Sequence, residues 1–152
     1  MLLLRFPQWP HEQVRALAAS VLEQARAVES QLLLSGDVEG AFLLGQGVGV
    51  QLKSTQLDMP ERPLPVSQWV GASCHHARDL ERAGQIADFA SLSPVATTSS
   101  HPDADALGWE AFAQLVDQSV VPVYALGGMT SDQLDTARRA GGQGVAGIRG
   151  FW

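Results

Sequence analysis

A pair of glycines, Gly127 and Gly128, follows the short apolar stretch Val121–Leu126 and precedes a helical pattern with Thr130 or Ser131 as its N-cap. Glycine at a strand end lets the backbone approach a ligand closely and direct N–H groups at it. The unpaired N–H groups and positive dipole end of a helix favour an anion, typically phosphate. The pattern therefore predicts a phosphate site. A tight strand–helix turn without a ligand is the structural alternative.

A second strand end strengthens the phosphate interpretation. The next apolar stretch ends at Ile148, Arg149 and Gly150. Because parallel strands end at the same edge, two neighbouring strand ends with glycine form a plausible phosphate cradle. Arg149 would add positive charge to it.

Three other positions carry side chains with several interpretations. Asp37 follows a strand pattern and is either a turn residue and helix N-cap or a metal contact. Cys74 precedes His75, but consecutive strand residues point to opposite faces, so a buried and inert cysteine is favoured over a nucleophile. His101 lies in a loop rich in serine and threonine, as a general acid or phosphate contact or as a solvated residue.

Short apolar stretches alternate with longer amphipathic ones along the chain. The strand patterns span Leu2–Phe6, Gln31–Asp37, Gly47–Leu52, Val70–His75, Ala87–Val95, Val121–Gly128 and Gly144–Gly150. The helical patterns span Pro10–Ser30, Val38–Gln46, His76–Ile86, Gly108–Ser119 and Ser131–Gly141. The proline-rich stretch Leu57–Trp69 and the polar stretch Ala96–Leu107 are predicted loops.

This alternation predicts repeated βα units within a single α/β domain of residues 1–152. Strands that are apolar along their whole length are covered on both faces, as in parallel sheets. The pattern fits an open doubly wound sheet or a (β/α)8 barrel. In both, ligands bind beyond the carboxyl ends of the strands, where the glycine pair lies.

Composition excludes several classes of protein. The 152 residues carry a net charge of −6, with Lys53 as the only lysine, which argues against nucleic-acid binding. Cys74 is the only cysteine, so no disulfide framework forms within the chain. The first residues do not resemble a signal peptide, and no apolar run approaches the roughly 20 residues that span a bilayer. We therefore expect a cytoplasmic protein that binds neither nucleic acid nor membrane.

The order of these motifs resembles the thiamine phosphate synthase superfamily, which includes the TenI-like thiazole tautomerases. The resemblance covers nearly the whole chain and is most specific in "GASCH" (71–75) and "PVYALGGMT" (122–130). It implies a (β/α)8 barrel. The synthases join a pyrimidine methyl diphosphate to a thiazole phosphate with magnesium on the diphosphate, whereas TenI-like members aromatise the thiazole. The chain looks closest to the synthase-like module at the C-terminus of some bacterial Nudix hydrolase fusions.

The resemblance implies a phosphate site made from several segments. Its members here are Gly127, Gly128, Ile148 and Arg149, together with Thr98 and Ser100 of a hydroxyl-rich loop. In the family that loop reads Thr-x-Thr-Lys, and His101 stands in place of its lysine. At Arg149 the synthases usually carry a serine.

The resemblance also implies substrate-binding and catalytic positions. Arg5 matches the arginine of a Leu-Arg-x-Lys motif, and Gln51 stands where the family has a histidine. Ser73 and His75 match a Ser-x-His motif at a strand end. Together with His101 they are the candidates for catalysis.

The departures from the family concern the diphosphate and the metal. Arg5 is followed by Phe6 and Pro7, so the lysine that binds the diphosphate is absent. Asp37 keeps one magnesium ligand, but Lys53–Gln56 replaces the family's Gly-Gln-Glu-Asp and contains no carboxylate. Asp58 would reach the metal only if its loop were remodelled. One carboxylate is a sparse donor set for Mg²⁺.

By this resemblance, the chain begins at the family's second strand and lacks the family's last helix. Seven strands would leave a barrel open, so we expect a homo-oligomer or a partner domain to close it. Three functions stay open. The first is an enzyme domain of thiamine metabolism, a synthase or a thiazole tautomerase, that binds a small phosphorylated ligand. The second is a non-catalytic binding module associated with a Nudix hydrolase, and the third is a fragment without a ligand.

Overall fold

The computed structural model of the chain describes residues 1–97 and 105–148, which form seven strands and five α-helices. The strands are β1 (Leu2–Leu4), β2 (Leu32–Ser35), β3 (Val48–Leu52), β4 (Val70–Cys74), β5 (Phe89–Leu92), β6 (Val123–Ala125) and β7 (Gly144–Val145). The helices are α1 (His11–Ala27), α2 (Val38–Leu44), α3 (Ala77–Ile86), α4 (Gly108–Asp117) and α5 (Leu134–Arg139).

All seven strands pair in parallel, in the order in which they occur in the sequence. A doubly wound sheet reverses its strand order at a switch point, whereas a barrel does not. The sequential order therefore decides between the two predicted architectures and confirms the barrel class. Within the described residues β1 and β7 do not pair, so the sheet is curled and open on that side.

The core lies between one face of the sheet and the helices. Alternate strand residues such as Leu34, Val50 and Leu92 are fully buried there. They belong to the same apolar cluster as Ala18 of α1 and Phe112 of α4. Among the described helices, none has the length and apolar character that crossing a bilayer requires. The opposite face of the sheet carries polar and aromatic side chains near the strand ends.

Several elements are shorter than the patterns predict. β1 ends at Leu4, because only Leu2–Leu4 have partners on β2. β5 ends at Leu92, shortly before Pro94, which has no N–H to continue a ladder. The helix predicted over Ser131–Gly141 begins as a 3₁₀ turn and becomes α-helical only at Leu134.

The proline-rich stretch is a loop, as predicted, and one arginine fixes it to the sheet. Arg62 donates from Nη1 and Nη2 to the two carboxylate oxygens of Asp88, at 2.9 and 2.7 Å. It also donates to the carbonyl oxygens of Leu64 and Gln68. Asp88 in turn accepts from the backbone N–H of Val70 at 2.7 Å. This network ties the loop to the start of β4.

We expect Arg62→Gln to lower the free energy of unfolding by about 1–3 kcal/mol, because it leaves the half-buried Asp88 carboxylate without its charged donor. Urea unfolding at neutral pH measures the change. Arg82→Gln is the matched control: it breaks the pair with Asp58, whose side chain is 70% exposed, and should cost less than about 1 kcal/mol. Equal losses in the two variants would contradict a structural role for Arg62.

Candidate functional site

The carboxyl ends of the parallel strands lie at one edge of the sheet, and most of the predicted site residues follow them. Arg5 comes directly after β1, and Asp37 lies two residues beyond β2. His75 comes directly after β4, and Gly127 and Gly128 lie just beyond β6. The fold thus brings to one edge residues that are far apart in sequence.

The glycine pair forms a tight turn that only glycine adopts without strain. Gly127 and Gly128 have φ angles of +94° and +68°, in the left-handed region. A Cβ at Gly127 would lie 2.7 Å from Cα of Pro94, and one at Gly128 would lie 2.8 Å from the carbonyl oxygen of Thr97. The turn packs this closely because the backbone N–H of Ala96 donates to the carbonyl of Gly127 at 3.1 Å.

The same turn presents backbone donors. Within residues 1–97 and 105–148, no acceptor is paired with the N–H groups of Gly127, Gly128 or Met129. The next N–H, that of Thr130, donates to Oε1 of Gln133 at 2.9 Å and so closes the start of the 3₁₀ turn. Successive unpaired N–H groups in a turn form an anion-binding concavity. The glycine pair is therefore a tight turn and a candidate anion site at once.

Of the other predicted members of the phosphate site, one lies within the described residues. Ile148 is 66% exposed and follows β7 by three residues. Thr98, Ser100, His101 and Arg149 lie outside the described residues. Their assignment to phosphate binding or catalysis stays a prediction.

A polar cluster lies on the face of the sheet opposite the helix-packed core. Gln51 donates from Nε2 to the hydroxyl oxygens of Ser73 at 3.2 Å and Ser91 at 3.1 Å. Strand register explains the contact, since Ser73 pairs with Ser91 and Gln51 pairs with Gly71. A Cβ at Gly71 would lie 2.2 Å from Oε1 of Gln51, so glycine there leaves room for the amide. Predicted residues Gln51 and Ser73 are thus in contact.

His75 has one ring nitrogen fixed by the neighbouring strand. Its Nδ1 lies 2.8 Å from the carbonyl oxygen of Ser93. A carbonyl only accepts, so Nδ1 carries the proton, and in the neutral ring Nε2 is then the acceptor. The backbone N–H of His75 donates to Asp79 Oδ2 at 2.8 Å, which holds the residue at the start of α3. The arrangement is suited to proton transfer through Nε2.

Asp37 is the N-cap of α2, as one of its two interpretations predicts. Its Oδ1 accepts from the backbone N–H of Gly40 at 3.0 Å. Arg15 of α1 donates to the same carboxylate, from Nε to Oδ2 and from Nη2 to Oδ1, each at 2.6 Å. The Arg15 guanidinium, partly opposed by burial, holds the pKa of Asp37 below its usual range. The side chain is 7% exposed.

The residues around Asp37 do not fit the magnesium site that the resemblance implies. Mg²⁺ prefers carboxylate oxygens together with waters in an octahedron. Both oxygens of Asp37 already accept from Arg15, and Asp58, the other candidate carboxylate, is paired with Arg82. No cluster of three metal-binding side chains occurs in the described part of the chain.

The sequence did not predict two of the residues that make contacts at this edge, Ser91 and Arg15. Ser91 lies two residues after Phe89 on β5, so period-two alternation together with the register could have found it. Arg15 had no such signal, because it meets Asp37 only through the packing of α1 beside α2.

Comparison with known proteins identifies the family. A model of the thiamine monophosphate synthase (TMP-TENI) family matches residues 1–151. The chain belongs to the thiamine monophosphate synthase family. It is 32% identical over 140 residues to the thiamine-phosphate synthase of Levilactobacillus brevis, which covers 89% of this chain and 64% of that protein. It is 31% identical over 134 residues to the thiamine-phosphate synthase of Limosilactobacillus fermentum, which covers 86% and 63%.

The chain spans about three fifths of the length of these curated thiamine-phosphate synthases. A solved structure, a thiamine phosphate pyrophosphorylase from Pyrococcus furiosus, superposes with a TM-score of 0.75 over 96% of this chain and 70% of that one. At 21% identity this likeness concerns the fold. It agrees with the sequential parallel sheet of a thiamine monophosphate synthase barrel.

We expect Asp37→Asn to lower the free energy of unfolding by about 1–3 kcal/mol at neutral pH, because it removes a charged acceptor of three hydrogen bonds. The folded-state pKa of Asp37 is lowered, so its contribution is complete above about pH 4 and disappears as the pH falls through that lowered pKa. Urea unfolding from pH 7 to pH 3 should show the gap between wild type and variant closing. Asp58→Asn, in an exposed pair, is the control. A difference in unfolding free energy between wild type and Asp37→Asn that does not change with pH would contradict the lowered pKa of Asp37.

Cys74 should be unreactive in the native protein, as its inert interpretation predicts. The thiol is fully buried, and burial raises its pKa to about 12, with a smaller contribution from Asp79. Only the thiolate is nucleophilic, so a disulfide reagent at pH 8 should label Cys74 in urea and leave the native protein unlabelled. Rapid stoichiometric labelling of native protein would count against this.

Proposed function

We propose that this chain is a thiamine monophosphate synthase-type domain of thiamine biosynthesis or salvage that binds a thiazole phosphate or thiamine phosphate-like ligand. The phosphate would lie at the glycine turn after β6. The observation that carries the proposal is the run of N–H groups from Gly127 to Met129 without acceptors in the described residues. A phosphate offers several acceptor oxygens, and hydrogen bonds to a charged group are the strong ones.

The edge of the sheet that holds the turn also carries exposed positive side chains, which supports an anionic ligand. Arg5 and Lys53 are exposed at the same edge, directly after β1 and β3. The Lys53 side chain lies over Gly36, where an added Cβ would be 2.7 Å from its Cε. In this proposal Arg5 and Gln51 contact the substrate, and Ile148 and Arg149 complete the cradle with Thr98 and Ser100.

The reaction that best suits these residues is a proton transfer. His75 has Nδ1 fixed by Ser93, which supports Nε2 as an acid–base atom. Ser73 lies two residues before it on the same strand face and is held by Gln51. A thiazole tautomerase moves protons and needs no divalent cation, whereas a synthase needs its diphosphate charge neutralised. His101 stays an alternative acid.

A non-catalytic binding module is the second candidate function. The observation that favours it is the pairing of Asp37 with Arg15, which removes a carboxylate from the diphosphate side while the glycine turn is intact. Such a module would hold a phosphorylated ligand for an associated enzyme. A Nudix hydrolase is the partner that the sequence resemblance suggests, and that association is part of the proposal.

Calorimetric titration with thiazole phosphate tests both functions. We expect wild type to bind and Gly128→Asp to bind about tenfold to a hundredfold more weakly, because the new carboxylate repels the phosphate and displaces the turn. Gly45→Asp is the matched control. Gly45 also has a positive φ, +73°, with nothing within 4 Å of an added Cβ, and it precedes β3 at the opposite edge.

Binding by wild type and Gly45→Asp alone would support the cradle. Equal binding by all three proteins would show that the ligand binds away from the glycine turn. An absence of binding by wild type would overturn the proposal. A tautomerase assay with wild type and His75→Gln then separates the two functions. Turnover that His75→Gln abolishes without changing affinity indicates the enzyme, and binding without turnover indicates the module.

A further inference from the structure

We infer that Arg15 closes Asp37 to divalent cations, so that this edge of the sheet takes up its ligand without a metal ion. The closing of Asp37 is independent of the phosphate site, while the metal-free binding rests on the function proposed above.

The guanidinium of Arg15 engages both oxygens of the Asp37 carboxylate. The two hydrogen bonds of 2.6 Å form a bidentate pair, in which both oxygens are engaged along one plane. The backbone N–H of Gly40 takes a further direction on Oδ1. A magnesium ion would need one of these lone pairs and would also need room for its waters.

Gly40 shows how closely this pair is packed. A Cβ at position 40 would lie 2.2 Å from Oδ2 of Asp37 and 2.5 Å from Nε of Arg15. The ion pair therefore lies directly on the backbone of α2, in the volume that a side chain would fill. This explains a glycine inside a helix, where it costs about 1 kcal/mol relative to alanine.

The Arg15 guanidinium already pairs with two carboxylates, those of Asp37 and Glu39. Arg15 also donates from Nη2 to Glu39 at 2.8 Å, and His11 Nδ1 lies 3.5 Å from Oδ1 of Asp37. Two carboxylates thus face one arginine and one histidine. Arg5 and Lys53, exposed at the same edge, would supply the positive charge for a phosphate in metal-free binding.

Manganese provides a direct test that requires no organic ligand. Mn²⁺ replaces Mg²⁺ and broadens the amide NMR signals of nearby residues. We expect submillimolar Mn²⁺ to leave residues 36–40 of wild type sharp. Arg15→Gln should broaden them selectively, with Mn²⁺ affinity about tenfold higher, and the double variant Arg15→Gln/Asp37→Asn should lose the effect.

Controls separate closure from a general change of charge or fold. Arg26→Gln removes the same charge from the same helix and should leave residues 36–40 sharp. Among the described residues the Arg26 side chain donates to the carbonyl of Gln46 alone. If Arg15→Gln is unfolded by circular dichroism, Arg15→Lys replaces it, since lysine keeps the charge but not the bidentate fork. It should broaden the same signals, more weakly.

Two results of the manganese titration would overturn the closure. One is broadening of residues 36–40 in wild type that Asp37→Asn abolishes. The other is a folded arginine variant that binds no more Mn²⁺ than wild type, because exclusion would then not depend on Arg15.

Metal-free binding is tested by titrating thiazole phosphate in excess Mg²⁺ and in EDTA. Equal affinities are expected, and binding that requires Mg²⁺ would refute it. Binding in neither condition would overturn both metal-free uptake and the proposed function, and the manganese titration would still decide the closure.

Discussion

Parallel pairing of neighbouring strands is the constraint on which the site depends. Each strand pairs in parallel with its neighbours in the sequence, so all seven strands run in the same direction. A connection between parallel strands must return along the sheet, usually as a helix, and therefore leaves every strand's carboxyl end at one edge. Arg5, Asp37, His75 and the glycine turn share that edge because of this geometry. No local sequence signal is needed to bring them together.

Features that depend on local sequence were predictable, and features that depend on packing between elements were not. The glycine turn after β6 could be predicted because two adjacent glycines after an apolar stretch have few other uses. Seven strands were predicted, with ends that coincide with the structure or differ by up to five residues, since pairing with a neighbour determines where a strand stops. Asp37 was predicted both as a cap and as a metal contact. Only the position of Arg15, from another helix, distinguishes the two.

The carboxyl edge of the sheet has two regions that differ in how charged and polar groups are arranged. Beside α1 and α2, Arg15 pairs with Asp37 and Glu39 at short distance; the Asp37 side chain is 7% exposed and that of Arg15 is 23% exposed. Near the glycine turn, donors are backbone N–H groups, which carry no formal charge and add no desolvation cost of an ion. In the proposed function the ligand phosphate binds in the second region.

Sequential pairing also has a consequence for how the chain folds. Each strand closes a loop only to the next strand, as in Leu33 with Gly49 or Ser73 with Ser91. Loop-closure entropy is then lost in small, similar steps, and a nucleus can form at any adjacent pair of βα units. Arg15 and Asp37 join the first two such units by side chains as well as by backbone. Substitutions at this pair should therefore change the order in which the amino-terminal βα units assemble, with little effect on β6 and β7.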